Sequence, residues 1–368
     1  MVANNRIFYA TQAVALKPQS SDGTLYAEWY FPRGVQSVGV TTNFGLEQVF
    51  QLGQIELYEN IENVPEVEVT LNKVIDGTPP LYLMAMGGED GIGGADGAEL
   101  VNLANNRVNF RLGVWSDTNS AATGTPARYV DCSGMYVSSV SFTIPVEGNA
   151  TEDLTLVGNN KVWNSGLFGA GMTSAFSSAN DAGQMTAPAI ARRYKFSKDA
   201  SVLPVGGGGG IPVPEGATQP YLQNITVSTD LGREAIYELG RMAPYHRYVT
   251  FPVEVTSEFE IIASSGDQVD ARDFADEASN CDTVYRNLQD KTIFVVVCGS
   301  GDGNSLGLDL GAKNKLTSVN YSGGDTGGGN ATVTYSYQTF NKLRVVGSGS
   351  FIDDAWVDTS NDAGIAGD

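Results

Sequence analysis

Along several stretches of this chain apolar and polar residues alternate one by one. Val67, Val69 and Leu71 stand between Glu66, Glu68 and Thr70; Val253 and Val255 flank Glu254, and Phe259 and Ile261 sit beside Glu258 and Glu260. Val108, Phe110, Leu112 and Val114 alternate with polar residues or Gly over 107–115. A period of two predicts strands with one packed face and one solvated face. The runs 36–40, 223–227 and 292–298 also read as strands. A different spacing appears between them. Phe44, Val49, Leu52 and Ile55, and again Leu231, Ile236, Leu239 and Met242, fall at intervals that place them on one helical face packed against a sheet. Asn43 and Asp230 suit the N-cap, and Glu47 and Glu234 lie near the first turn, where the helix dipole favours acids. Gly53, Gly240 and Pro244 then weaken or end each helix.

The two sets of elements are copies. A shift of 187 positions superimposes Gln36, Val40, Thr42, Gly45, Glu47, Leu52, Gly53, Tyr58 and Pro65 on Gln223, Val227, Thr229, Gly232, Glu234, Leu239, Gly240, Tyr245 and Pro252. Unrelated sequence of ordinary composition gives roughly two identities in such a block. Arg6, Ala13 and Leu16 meet Arg193, Ala200 and Leu203 at the same shift. The copies close with Ser139–Phe142 against Ser318–Tyr321, Gly148–Thr151 against Gly329–Thr332, and Asn160–Val162 against Asn341–Leu343. Residues 1–188 and 189–368 are therefore expected to be two homologous domains. Asn164–Pro188, rich in Gly, Ser and Ala, is expected to join them, and Gly206–Gly210 is expected as a loop or arm inside the second, with a true interdomain linker as the alternative. Gly87–Gly97 and Gly299–Gly311 read as polar loops.

Composition narrows the function. The formal charge is −20, divided as −11 over 1–187 and −9 over 188–368, so acidity belongs to the repeated unit. Such a chain does not grip nucleic acid through phosphates, which needs clustered Lys and Arg. No run approaches the roughly 18 apolar residues of a membrane span, and residues 1–11 lack a basic region followed by an apolar one. A soluble chain made in a cytoplasm, with no membrane binding, is expected. Cys132, Cys281 and Cys298 show no metal-ligand spacing and are expected as free thiols.

No catalytic constellation stands out. His246 is the single histidine, which removes most triads and His-ligated metal sites. Gly299–Gly303 alternates glycines without a following helix, and Asp302, Asn304 and Gly307 begin an EF-hand pattern that Leu306 and Lys313 break. No enzyme activity, no metal and no cofactor are expected.

The segments Thr229–Glu234, Glu238–Arg241, Tyr248 and Phe251–Thr256, with Pro145–Asp153 and Leu156–Lys161, resemble the tail tube proteins of tailed bacteriophages. The resemblance implies a mainly β fold: two homologous β-sandwich or barrel tail-tube domains, each flanked by an α-helix. It further implies self-association, here as homotrimeric rings of six similar domains stacked into a tube in the phage tail. Other tail proteins (tape measure, terminator, baseplate or sheath) are implied partners, and assembly in the host cytoplasm is expected.

If each domain lends about four strands, a ring has about 24, a backbone diameter of about 37–48 Å and a bore of roughly 25–35 Å. Duplex DNA, on the order of 20 Å across, fits. A carboxylate wall repels phosphates and lets DNA pass without sticking. Glu66, Glu68, Glu254, Glu258 and Glu260 are the expected bore-facing acids, with solvation of an outer face as the alternative. Arg6–Lys17, Gly87–Gly97 and the Gly206 segment are candidates for ring stacking. Two other readings fit a mainly β virion protein: a receptor- or carbohydrate-binding protein, and a capsid or decoration subunit.

Overall fold

The computed structural model describes residues 7, 9–19, 29–75, 79–86, 98–116, 126–165, 221–263, 266, 267, 269, 290–298, 305–324 and 329–346. In the first half the strands are β1 (Gln12–Gln19), β2 (Val35–Asn43), β3 (Leu46–Phe50), β4 (Leu57–Glu62), β5 (Glu66–Val74), β6 (Ala98–Glu99), β7 (Arg107–Val114), β8 (Arg128–Pro145), β9 (Thr151–Gly158) and β10 (Val162–Asn164). In the second half they are β11 (Leu222–Asp230), β12 (Arg233–Ile236), β13 (His246–Val249), β14 (Glu254–Ile262), β15 (Phe294–Cys298), β16 (Ser305–Asp309), β17 (Lys315–Ser322), β18 (Thr332–Phe340) and β19 (Arg344–Val346). A 3-10 turn (Tyr9–Thr11) and two short helices, α1 (Leu81–Met86) and α2 (Leu100–Leu103), complete the regular elements of the described residues. The fold is mainly β, with antiparallel pairing throughout.

The main sheet runs β17-β18-β14-β11-β8-β9-β5-β2. It consists of two four-strand units with the same internal order, β2-β5-β9-β8 and β11-β14-β18-β17, joined where β8 meets β11. Register carries the equivalence strand by strand. Val38 pairs with Leu71, Leu71 with Leu154, and Leu154 with Val140. In the second unit Ile225 pairs with Phe259, Phe259 with Tyr335, and Tyr335 with Val319. Val140 is thus the counterpart of Val319, as the repeated Ser-Val pieces predict. The sheet is open, with β2 and β17 at its edges. The expected boundary near residue 188, the joining segment beyond 165 and the loops at 87–97 and 206–210 lie outside the described residues.

Alternation puts one face of this sheet in the core. Val67, Val69 and Leu71 on β5, and Val255, Phe259 and Ile261 on β14, are buried, and their acidic neighbours point the other way. A second layer covers the apolar face. In the first half β1 pairs with β7, and β7 and β10 pair with the start of β8. β8 serves both layers by bending at Gly134, whose φ of +65° falls where the register with β7 slips. In the second half the corresponding stretch is interrupted as β16 and β17, and the layer is β15-β16-β19, extended by β6 from the first half. The core is continuous across both halves.

Three expectations need correction. The stretches at 44–55 and 231–242 are β-hairpins, β3–β4 and β12–β13, rather than helices. Gly53 and Gly240 hold φ of +88° and +87° at the tips, a left-handed conformation that turns a hairpin and breaks a helix. Of the residues assigned to helix packing, Leu231 is buried and Val49 and Ile236 are half-buried. Phe44, Leu52 and Leu239, by contrast, are 70%, 101% and 105% exposed. The apolar spacing was real, but of these residues only Leu231 serves the core. Residues 12–17, expected in a stacking arm, belong to β1, and the expected loop 299–311 contains β16.

One buried feature distinguishes the halves. Lys73 and Glu152 are cross-strand partners and both are fully buried. Glu152 accepts hydrogen bonds from the Leu81 and Tyr82 amides at 2.6 and 2.7 Å, satisfying the donors that open α1. Burial pushes its carboxyl up to about 7, against the lowering by the Tyr82 amide, Lys73 and the Leu81 amide. In the second half the equivalent pair is Ile261 and Val333, both apolar and buried.

Candidate assembly surfaces

The joint between the two four-strand units shows how one unit receives the next. β11 lies against β8 over seven paired positions, Asn224–Pro145 to Asp230–Ser139. On the core side Ile225, Val227 and Thr229 from β11, and Val140, Phe142 and Ile144 from β8, are buried. The ladder continues past the strand end, where the Leu231 amide donates to the Ser138 carbonyl at 2.8 Å.

Hairpin β12–β13 then folds over the end of the first unit. The cross-strand pairs Arg233–Val249 and Ala235–Arg247 set four side chains on the same side of the hairpin. Arg233 donates from Nε to the Val137 carbonyl at 2.7 Å and from Nη2 to the Ala104 carbonyl at 2.6 Å. Its guanidinium lies 5.2 Å from the centre of the Tyr136 ring. Burial draws the pKa of this guanidinium down to about 10. Arg247, 8% exposed at its side chain, pairs with Glu66 at 3.0 Å and reaches Asn159 at 3.3 Å. His246 stacks on Tyr248 at 4.2 Å and meets Tyr136 edge-on at 5.2 Å. Burial, with the charges of Arg107 and Arg233, lowers its pKa. The single histidine is thus part of the joint.

Each outer edge presents one half of such a joint without its mate. On β2, Val38, Val40 and Thr42 are half-buried, whereas their counterparts Ile225, Val227 and Thr229 are buried. On β17, Tyr321 is 50% exposed, whereas its counterpart Phe142 is 1% exposed. Hairpin β3–β4 projects with Phe44, Leu46, Phe50, Tyr58 and Ile61 exposed. Hairpin β12–β13 is covered at its base yet exposes Tyr237, Leu239 and Met242 toward its tip. These adjoining elements together carry an apolar surface that the described residues leave uncovered.

The outward face of the main sheet has a consistent chemistry. Its positions include Thr41, Thr70 and Thr155 in the first unit, and Ser228, Thr256 and Ser336 in the second, interspersed with acids. Glu68, Glu254 and Glu258 are exposed there, Glu260 is half-buried, and Glu258 accepts from Ser336 at 3.4 Å. Glu66 is on the same face and exposed, but ion-paired with Arg247 of the hairpin at 3.0 Å. Lys315, at the end of β17, is paired with Asp290 at 2.8 Å. The five acids singled out from sequence therefore share one face, and four of them are clear of the arginines. Among the described residues no group of three or more His, Cys, Asp and Glu is placed to hold a metal ion. No helix there is long and apolar enough to cross a membrane.

Sequence reasoning missed Arg233, Arg247, Tyr136 and Asn159 as joint residues. The available signal lay in the mismatches: inside the repeated block, Arg233 and Arg247 stand where the first copy has Leu46 and Asn60. A charge present in only one copy of a repeat points to a contact made by only one copy.

No family model and no curated protein matches the chain. Among solved structures, the chain is similar to one described as the anti-feeding prophage cap, a tube-terminating cap. The TM-score is 0.32 at 14% identity, over 45% of this chain and 95% of that one. Likeness at that level carries no argument about function.

Proposed function

We propose that this chain is a structural subunit of a phage-type tail tube, closing with copies of itself into stacked rings whose acidic bore passes double-stranded DNA. The observation that carries the reading is the main sheet. Two equivalent four-strand units already sit side by side, and the outer edges β2 and β17 are the counterparts of the strands that join them. An interface of this head-to-tail kind repeats until it closes or runs on as a filament, and closure removes the exposed β-edges. Three chains of eight strands give about 24, enough for a bore of roughly 25–35 Å, wider than duplex DNA.

The hydroxyl and carboxylate face suits a bore wall. Glu68, Glu258 and Glu260 repel phosphates, and Ser and Thr add no cation to hold them. No catalytic step is assigned to the chain. Its partners are further copies and the proteins that begin, measure and end a tail, and its place is the virion after assembly in the host.

Negative-stain microscopy of the purified protein tests the assembly, with hollow rods carrying a central stain line expected. Free particles that bind glycans, or closed shells, would replace this reading with a receptor-binding or capsid role. Replacing Glu68, Glu258 and Glu260 together by Lys is expected to leave rods intact and to slow or stop DNA ejection from particles. Unchanged ejection would remove these acids from the bore.

A further inference from the structure

The joint inside the chain also specifies the joint between chains. We propose that β2 and hairpin β3–β4 clasp β17 and Phe340 of a second copy, in the register of β11 on β8, with the side-chain chemistry reversed across the contact. This rests on the self-assembly part of the preceding reading and is independent of DNA.

The register follows from the pairs already described. Ser228 faces Ser141 and Val227 faces Phe142 in the internal joint. Their counterparts place Thr41 opposite Asn320, and Val40 opposite Tyr321, of the neighbouring chain. β17 carries the same irregularity as the equivalent part of β8, between Leu316 and Ser318 and between Val137 and Ser139. The edge therefore offers the Thr317 carbonyl to the Phe44 amide, as Ser138 offers its own to Leu231. Leu231 is fully buried in its joint, and Phe44 is 70% exposed in the isolated chain.

The hairpins match in geometry and differ in chemistry. Leu46–Glu62 and Gln48–Asn60 are cross-strand pairs, as are Arg233–Val249 and Ala235–Arg247. The internal hairpin sends two long cations onto a sheet that offers Tyr136, Asn159 and Glu66. The projecting hairpin carries Leu46 and Asn60 at those two places. The surface that awaits it holds Lys315, Phe340 and Glu254, the counterparts of Tyr136, Asn159 and Glu66. Phe340 is the cross-strand partner of Glu254 and is 52% exposed. At one place a long arm on a small residue, Arg247 on Asn159, has become a short arm and a large residue, Asn60 and Phe340. At the other the cation has moved from hairpin to sheet, from Arg233 over Tyr136 to Leu46 and Lys315. Each joint is thus complementary only to itself, so the two halves must alternate around any closed assembly.

The test uses full-length chains carrying single outward-facing cysteines, with wild-type chain as background for the native thiols. A Thr41→Cys chain mixed with an Asn320→Cys chain is expected to give an assembly-dependent disulfide dimer. Its yield should be at least tenfold above that from Thr41→Cys with Ser318→Cys, two positions out of register. Separately, Phe44→Ser and Phe340→Asn should each raise the concentration needed for assembly at least tenfold while leaving the melting temperature of the monomer unchanged. Equal yields from both cysteine mixtures, or no dimer in either, would overturn the clasp, as would normal assembly of both Phe variants. Hollow tubes lacking the in-register link would sink this inference alone. In-register assemblies that enclose no passage would sink the tube reading and leave the clasp standing.

Discussion

Removing the charge of Lys73 separates the pairing role of Glu152 from its capping role. Both side chains are fully buried, and Glu152 also holds the first two amides of α1. In the wild-type protein burial raises its carboxyl from 4.5 to about 7. The folded state therefore binds this proton more tightly than the unfolded chain does. Its contribution to stability is greatest below about pH 4.5 and is lost as pH rises through about 7, amounting to about 3 kcal/mol at about 1.4 kcal/mol per pH unit. Lys73→Met removes the cation that opposes this rise, so the loss should continue above pH 7. Breaking one side of a buried pair costs about 3–5 kcal/mol where the partner must stay charged. The cost should therefore be several-fold larger at pH 8 than at pH 5, where Glu152 carries its proton in the folded state. Glu152→Gln should flatten this part of the pH profile. The double variant Lys73→Ile with Glu152→Val copies the Ile261–Val333 pair of the second half and should also be flat. It strands the Leu81 and Tyr82 amides, at about 1–3 kcal/mol each. Urea denaturation of all four proteins at pH 5, 6, 7 and 8 reads these differences directly. A Lys73→Met profile parallel to wild type would refute the pairing argument, and a double variant as stable as wild type would refute the capping argument.

Other expectations are simpler. Phe142→Ala, in the joint between the halves, should cost about 3–5 kcal/mol in equilibrium denaturation, because Phe142 is 1% exposed among packed neighbours. Arg233→Met should cost about 1–3 kcal/mol for each of the Val137 and Ala104 carbonyls it leaves without this donor. The loss should appear with salt present, since the guanidinium is largely buried. Tyr82→Phe should be neutral or raise the melting temperature, because the buried Tyr82 hydroxyl has no hydrogen-bond partner among the described residues. Gly53→Ala places a side chain at φ +88° in open space, so strain of about 1–2 kcal/mol is expected. Faster amide exchange confined to β3–β4 is the signature to look for.

Much of the sheet was legible because alternation and repetition point the same way. Glu66–Leu71 and Glu254–Ile261 declared a packed face and an acidic face, and the structure has both. The hairpins were misread for a physical reason. Phe44, Leu52 and Ile55 are apolar but exposed, and a pattern that assumes burial within one chain turned them into a helix face. Gly53 and Gly240, read as helix-weakening, were the better clue, since both hold a left-handed turn. β16 escaped notice because it continues a strand that is one piece in the first half and two in the second, with Gly311 at φ +71° in the gap. The joint was the hardest part to see. Arg233 and Arg247 gain meaning only once Tyr136, Asn159 and Glu66, some 70 to 180 positions away, are brought beneath them.

A density map of assemblies grown from the purified chain, at a resolution that traces strands, bears most directly on the whole account. The expected map has β2 of each copy running antiparallel to β17 of the next and the Glu68–Glu258 face lining an unbroken passage. A map in which that face looks outward, or in which the edges β2 and β17 stay unpaired, would contradict it.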